Sequence, residues 1–241
     1  MNIVGKLLET IIEMFFAIFF RIKGESKISK KLRQTVSLYK TDGFGKLFSE
    51  IRSWDAPYED LEKVVPKVGR ILDLGCGDGL LANYLALASS RRIVTGIELN
   101  AGRLKIADKG LKNTRFVRGD IIKVKYPKSD SVVLAHVLHH LPSKASQEMV
   151  LKKITKMLVP KSKLIILEID EKPFLKYIFS VLVDMVVVPI LFERKFFSSK
   201  VFYRTWDEWS KLLKKLGYKT EVKTIHKGMP FSHILIIASK E

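Results

Sequence analysis

From residue 70 onward, short apolar runs alternate with stretches in which apolar positions recur every three or four residues. The runs at 71–74, 93–97, 115–117, 131–135 and 164–169 read as strands. The stretches at 80–88, 100–111 and 143–158 read as helices, with Asn100 placed to cap the second. This alternation is the signature of βαβ units and a parallel sheet. Further on, Thr205-Trp206-Asp207-Glu208 has the form of a capping box, and Gly217 closes the helix it opens. Residues 219–225 and 231–238 then read as two more strands, joined through 227–230 by a tight connection that favours antiparallel pairing. The predicted fold is α/β: a mostly parallel sheet, helices on both faces, and an antiparallel hairpin at the end.

Two apolar stretches break the alternation. The first is the run at 11–20, followed by Arg21, Lys23, Lys27, Lys30, Lys31 and Arg33. A spanning helix needs about 20 predominantly apolar residues, and Lys6, Glu9 and Glu13 interrupt the segment 1–20 that holds this run. No small-residue cleavage site follows, which speaks against a signal peptide. An interfacial helix with its basic flank on anionic head groups fits the pattern; so does a helix packed on the domain or on a second subunit. The second stretch, 173–192, carries Lys176, Asp184 and Pro189 as its only interruptions. It reads as a lid over a greasy pocket, a membrane-contacting element or an added core helix. A full span would leave Asp184 and Pro189 needing partners in the bilayer. The expected organisation is an apolar and basic segment at 1–33 and a domain at 34–241, with 170–204 as its insert.

Composition adds charge to this picture. The 241 residues carry 43 basic and 25 acidic side chains, for a net charge of +18. Such a surplus suggests an anionic neighbour (nucleic acid, a membrane surface or an acidic carrier) or else a lysine-rich compositional bias. Aromatic residues are not interleaved with the basic ones as a stacking platform requires, so nucleic acid is the weaker candidate. The single cysteine, Cys76, permits no internal disulfide and fits a reducing cytoplasm.

The candidate chemistry begins where the first strand meets the first helix, at Asp73-Leu74-Gly75-Cys76-Gly77-Asp78-Gly79. Glycines there let the backbone turn sharply and approach a ligand. A dinucleotide loop would carry its third glycine at position 80, where this chain has Leu80. Asp73 would also repel a pyrophosphate, whereas a ligand bearing an ammonium and a sulfonium suits a carboxylate. Glu98 ends the second strand and can accept from both hydroxyls of a ribose. Asp120, after the third strand, can accept from an adenine amino group, and Ile121 can pack on the ring.

These motifs resemble those of class I (Rossmann-like) S-adenosylmethionine-dependent methyltransferases over about residues 67–171. The carriers are the Asp73–Gly79 loop, Ile97-Glu98, Gly119-Asp120 and the segment 130–142 around His136, His139 and His140. The resemblance implies a seven-stranded sheet with an antiparallel last strand and S-adenosylmethionine (SAM) as cofactor. It implies a cofactor site of Asp73, Gly75, Cys76, Gly77, Gly79, Glu98, Leu99, Asp120 and Ile121, with Ala135 and His136 beside the methionine part.

Methyl transfer from a sulfonium is an in-line displacement that needs alignment in a dry pocket, and a base only where the acceptor loses a proton. His140 and His139 are the candidate catalytic residues. His233 reads as a buried strand histidine, and Trp54, Tyr58 and Tyr203 as candidate pocket lining. No metal is expected, because neither cysteine nor an acidic residue stands at ligand spacing from the histidines. The apolar stretches and basic surface point to a lipid or isoprenoid-quinone-like acceptor, and to a cytoplasmic enzyme peripheral at the inner membrane face. An RNA or protein methyltransferase and a cofactor-binding module without catalysis are the alternatives.

Overall fold

The computed structural model describes residues 10, 28–39, 49, 51–187, 201–225 and 231–240. The apolar run at 11–20 lies outside them. Among the described residues, the helices α1 (Lys30–Ser37) and α2 (Tyr58–Val64) precede the sheet. The strands β1 (Gly69–Leu74), β2 (Arg92–Glu98), β3 (Thr114–Arg118), β4 (Ser131–Ala135) and β5 (Lys163–Ile169) follow in turn. Between them run α3 (Leu80–Ala88), α4 (Ala101–Ala107) and α5 (Lys144–Met157). After β5 come α6 (Phe174–Leu182), a π-helical turn (Val183–Val187), α7 (Trp206–Lys215), β6 (Tyr218–Ile225) and β7 (His233–Lys240).

The seven strands lie in the order β3-β2-β1-β4-β5-β7-β6. The first five pair in parallel, whereas β7 runs antiparallel to both β5 and β6. The expected sheet is therefore present, including its reversed last strand. The connection at 227–230 lies outside the described residues.

The period-two alternation of the strands builds a core on each face. Leu72, Val132, Leu134, Leu164, Ile166 and Ile236 turn towards α5 and α7, where Val150, Leu151, Ile154, Trp209 and Leu213 are buried with them. Ile71, Val133, Ile165, Leu167 and Leu235 turn the other way, against Leu32 of α1, Leu61 of α2 and Leu81 and Leu85 of α3. A buried Arg92 ties the start of β2 to α2, donating to Glu62 Oε1 (2.8 Å) and to the carbonyls of Val65 (2.8 Å) and Pro66 (2.7 Å). All the strand ends that carry the predicted motifs therefore meet at one edge, the C-terminal edge of the parallel strands, where ligands of open α/β sheets bind.

The helix predicted over 100–111 stops at Ala107. Asp108 accepts from the Gly110 N–H (3.0 Å), a local turn that competes with another helical turn. Asn100 caps the start as expected, accepting from the Gly102 and Arg103 N–H groups. The capping box at Thr205 and Glu208 also forms, with both of its reciprocal bonds.

Candidate active site

At the end of β1 the backbone passes through three left-handed glycines: Gly75 (φ 74°), Gly77 (φ 55°) and Gly79 (φ 73°). Only glycine takes these angles without strain, and space is restrictive as well. A Cβ at Gly75 would overlap a Val137 methyl group, and one at Gly77 would overlap the Arg103 guanidinium. The loop is pinned from two strands. Gly75 and Cys76 donate to the Ile97 carbonyl (2.8 and 3.1 Å). Glu98 accepts from the N–H groups of Gly77 (3.0 Å) and Asn100 (2.8 Å). Each carboxylate oxygen of Glu98 thus keeps a lone pair for a further donor such as a ribose hydroxyl.

Further contacts hold the loop from outside the sheet. Arg103 Nε donates to Asp78 Oδ1 (3.0 Å), clamping the loop to α4. The Tyr39 hydroxyl, just past α1, donates to the Asp78 carbonyl (2.8 Å) and accepts from Asn83 Nδ2 of α3 (2.7 Å). Neither Tyr39 nor Arg103 stands near the loop in sequence, and no local pattern marks them.

Among the described residues, Asp73 Oδ2 and His136 Nε2 are buried at this edge with no hydrogen-bond partner. Asp73 is 2% exposed, and burial together with the Glu98 charge pushes its carboxyl up to about 7. A buried acceptor left unpaired costs about 1–3 kcal/mol, more if charged, so the site is built for a donor that arrives. His136 follows β4 in a left-handed conformation (φ 53°), rare for a residue with a Cβ and typical of functional turns. Burial and the adjacent His233 hold its pKa well below the usual value, so its ring is neutral. A cationic amino-acid moiety with an ammonium donor satisfies Asp73, and the residues present fit SAM by that chemistry.

The other predicted cofactor residues lie around this edge. Leu99 is exposed directly after β2. Asp120 accepts from the Ile122 N–H (2.9 Å) in the turn after β3, and the side chain of Ile121 is buried in the core. Cys76 packs where any side chain on Gly96 would collide with its sulfur. Burial and the Asp73 charge hold its thiol well above the usual range, so it is no nucleophile.

Beside this lies a second cluster, around His139 in the short helical turn Leu138–His140. His139 is buried, its Nδ1 bonded to Glu168 Oε2 and its Nε2 3.4 Å from Asp184 Oδ2. Burial opposes its charge, but the two carboxylates outweigh burial and hold its pKa up to about 10. Glu168 also accepts from the Leu138 N–H (2.9 Å), and the Tyr203 hydroxyl donates to Asp184 Oδ2 (2.5 Å). The Tyr203 ring stacks on His139 at 5.0 Å. His140 is the exposed member, its ring 4.1 Å from that of His139.

Sequence reasoning placed the two histidines and Tyr203 but missed Glu168 as their partner. The available signal was one charge inside the otherwise apolar β5 run 164–169. His233 is buried in β7 with its Nε2 donating to the Asp55 carbonyl (2.6 Å), its ring 5.0 Å from His136. Tyr58 lies in the core against α3 rather than in an open pocket.

A seven-stranded sheet with a reversed last strand, a glycine loop after β1 and carboxylates on three successive strand ends define a class I methyltransferase architecture. Comparison with known proteins agrees. Residues 72–166 match the family described as "Methyltransferase domain". An uncharacterized methyltransferase of Mycobacterium tuberculosis is 40% identical over 77 residues, 30% of this chain and 37% of that one. The ubiquinone biosynthesis O-methyltransferase of Bordetella pertussis is 37% identical over 84 residues, 32% of this chain and 34% of that one. The chain thus spans little more than a third of these curated relatives' length.

Among solved structures, human N-acetylserotonin methyltransferase in complex with SAM superposes with TM-score 0.62 at 20% identity, covering 87% of this chain and 56% of that one. The DhpI–SAH complex superposes with TM-score 0.63 at 19% identity, covering 87% and 95%. Residues 72–166 thus resemble a methyltransferase domain, and the chain shares its fold with these SAM- and SAH-bound structures.

Proposed function

We propose that this protein transfers the methyl group of SAM to a hydroxyl of a hydrophobic, lipid or isoprenoid-quinone-like acceptor presented at an anionic membrane surface. When bound, SAM supplies an electrophilic methyl on a sulfonium, and the chain's own residues hold and align it. Asp73 accepts from the ammonium, Glu98 from the ribose hydroxyls, and Asp120 from the adenine amino group. His136 closes the methionine end, and the turn 138–140 is where an acceptor hydroxyl loses its proton, with His140 the member that reaches outward and His139 the positioning residue.

The observation that carries the acceptor class is the surface of α6. Phe174 (67% exposed), Leu175 (82%), Phe179 and Leu182 all lie on the outside, while Ser180 is the buried residue of the helix. This pattern opposes an added core helix and supports a surface that meets apolar material. Aromatic contacts connect it to the site: Phe179 stacks on Phe231 at 5.4 Å, and Phe231 meets His233, which meets His136. Tyr177 packs on Tyr203 at 5.6 Å. Among the described residues no helix is long and apolar enough to cross a membrane, so the contact proposed is with a membrane surface. The likeness to a ubiquinone biosynthesis O-methyltransferase is consistent with such an acceptor.

The test is incubation of the purified chain with methyl-labelled SAM beside three fractions: total lipid extract, RNA and protein. Label is expected in the lipid fraction. Label confined to RNA or protein overturns the acceptor assignment, and SAM binding with no transfer to any fraction favours a non-catalytic module.

A further inference from the structure

The cluster at 138–140 has the geometry of a metal centre. His139, His140 and Asp184 each offer one ligand atom, and these atoms all lie within 4.8 Å of one another. Among the described residues His139 Nε2 is buried with no hydrogen-bond partner, and Asp184 Oδ2 stands 3.4 Å away. A charge-assisted N–H···O pair normally closes to about 2.7–2.9 Å. Two ligands about 2.0–2.2 Å from one tetrahedral cation, by contrast, stand roughly 3.4 Å apart. The observed separation matches the spacing of two ligands sharing an ion and is long for a direct hydrogen bond.

The surroundings are those a metal centre needs. Glu168 bonds the opposite nitrogen of His139, the carboxylate–histidine arrangement that fixes the ring and raises its basicity towards a metal. Tyr203 orients the Asp184 carboxylate by donating to it. Asp184 sits in the π-helical turn Val183–Val187, and such turns occur frequently at functional sites. The exposed His140 gives the third ligand room to adjust and leaves a path of entry. Sequence spacing offered the histidines no acidic partner; the fold supplies one from the insert after β5.

We propose that His139, His140 and Asp184 bind one divalent transition-metal cation of the zinc class, with Glu168 and Tyr203 orienting the ligands. Two imidazoles and one carboxylate suit Zn²⁺, Co²⁺, Mn²⁺ or Fe²⁺, and three protein ligands leave a position for an oxygen from outside. The role of that open position rests on the acceptor reading above: an acceptor hydroxyl bound there gives up its proton at lower pH than in water. His140 then acts as a ligand, and the proton passes to bulk solvent on its exposed side rather than to a ring nitrogen.

The experiment uses the full chain, treated with chelator, dialysed and titrated with Zn²⁺ and Co²⁺ without SAM or acceptor. Metal content by mass spectrometry should reach one ion per chain, and Co²⁺ should give visible d–d absorption of low symmetry. Asp184→Asn and His140→Ala should each weaken binding at least tenfold, and Glu168→Gln by about 10–100-fold. His140→Ala removes an exposed side chain, so it separates lost ligation from lost folding, which circular dichroism checks. Absence of saturable uptake by the folded chain overturns the site, and so does uptake that is unchanged in both ligand variants. Because binding is read without acceptor, a wrong acceptor class leaves this result intact.

Discussion

The two halves of the active edge are built by opposite means. At the β1–β3 end, a carboxylate oxygen is buried without a hydrogen-bond partner among the described residues, so the site is complete only when a ligand arrives. At the β4–β5 end, the buried charges of the cluster are already paired: His139 lies between Glu168 and Asp184, and Asp184 accepts from the Tyr203 hydroxyl. The first end stores its specificity in an unpaid desolvation cost, which a cationic ligand relieves. The second end fixes positions through ion pairs already present in the protein, among which the proposed cation would enter between His139 and Asp184. Cofactor recognition should therefore be sensitive to single charges, whereas acceptor recognition should be spread over shape and apolar surface.

The largest effect expected is at Asp73. Asp73→Asn keeps the shape and removes the charge, and loss of one member of a buried charge pair costs about 2–5 kcal/mol. SAM affinity measured by calorimetry at pH 8 should fall by about two orders of magnitude; a loss below threefold would put the ammonium elsewhere. The same group sets a pH signature. Its folded pKa of about 7 lies above the ordinary 3.8, so its contribution to stability is full below about pH 4 and is lost as pH rises through 7. The ligand-free wild-type protein should lose stability relative to Asp73→Asn over that window, by on the order of a few kcal/mol. Saturating SAM should reverse the trend, because the ammonium favours the ionised carboxylate. Melting curves at pH 5 and 8, with and without SAM, check both signs.

Gly75→Ala comes next, with left-handed strain and overlap with Val137 together costing about 1–3 kcal/mol. It should lower the melting temperature and SAM affinity together. On the acceptor side, Leu175→Glu should raise KM for a hydrophobic acceptor or weaken vesicle binding about tenfold, with the melting temperature and SAM affinity nearly unchanged, since surface substitutions stay within about 0.5 kcal/mol. Equal losses for SAM and acceptor would erase the contrast between the two ends. Smallest is Thr205→Ala, which removes the cap of α7 and should cost about 1 kcal/mol of stability with no change in SAM affinity.

The same contrast governs what the sequence disclosed. The cofactor end is made of short segments, each ending one strand, so Asp73, Gly75, Gly77, Gly79, Glu98 and Asp120 carry their roles in local spacing. Strand and helix positions were legible for the same reason, except where Asp108 and Gly110 shortened α4. The acceptor end is assembled from residues distant in the chain: His139 from the β4 turn, Glu168 from β5, and Asp184 and Tyr203 from the insert. Pairing across such distances is a property of topology, and no periodicity announces it. Asp184 is visible in sequence only as an interruption of an apolar run, with no sign of what it faces.

The bond from Tyr39 to the Asp78 carbonyl has a consequence in time. The eight-residue α1 buries only Leu32, Thr35 and Val36, and a helix so short depends on those contacts to persist. It belongs with the elements that open well below the free energy of global unfolding, whereas β4 lies in the centre of the sheet. Each opening of α1 also unlatches the Asp78 carbonyl, so the amides of the glycine loop should exchange with solvent at the pace of α1 rather than of the strand that precedes them. Tyr39→Phe should break that synchrony: loop exchange would quicken while α1 and β4 keep their own rates.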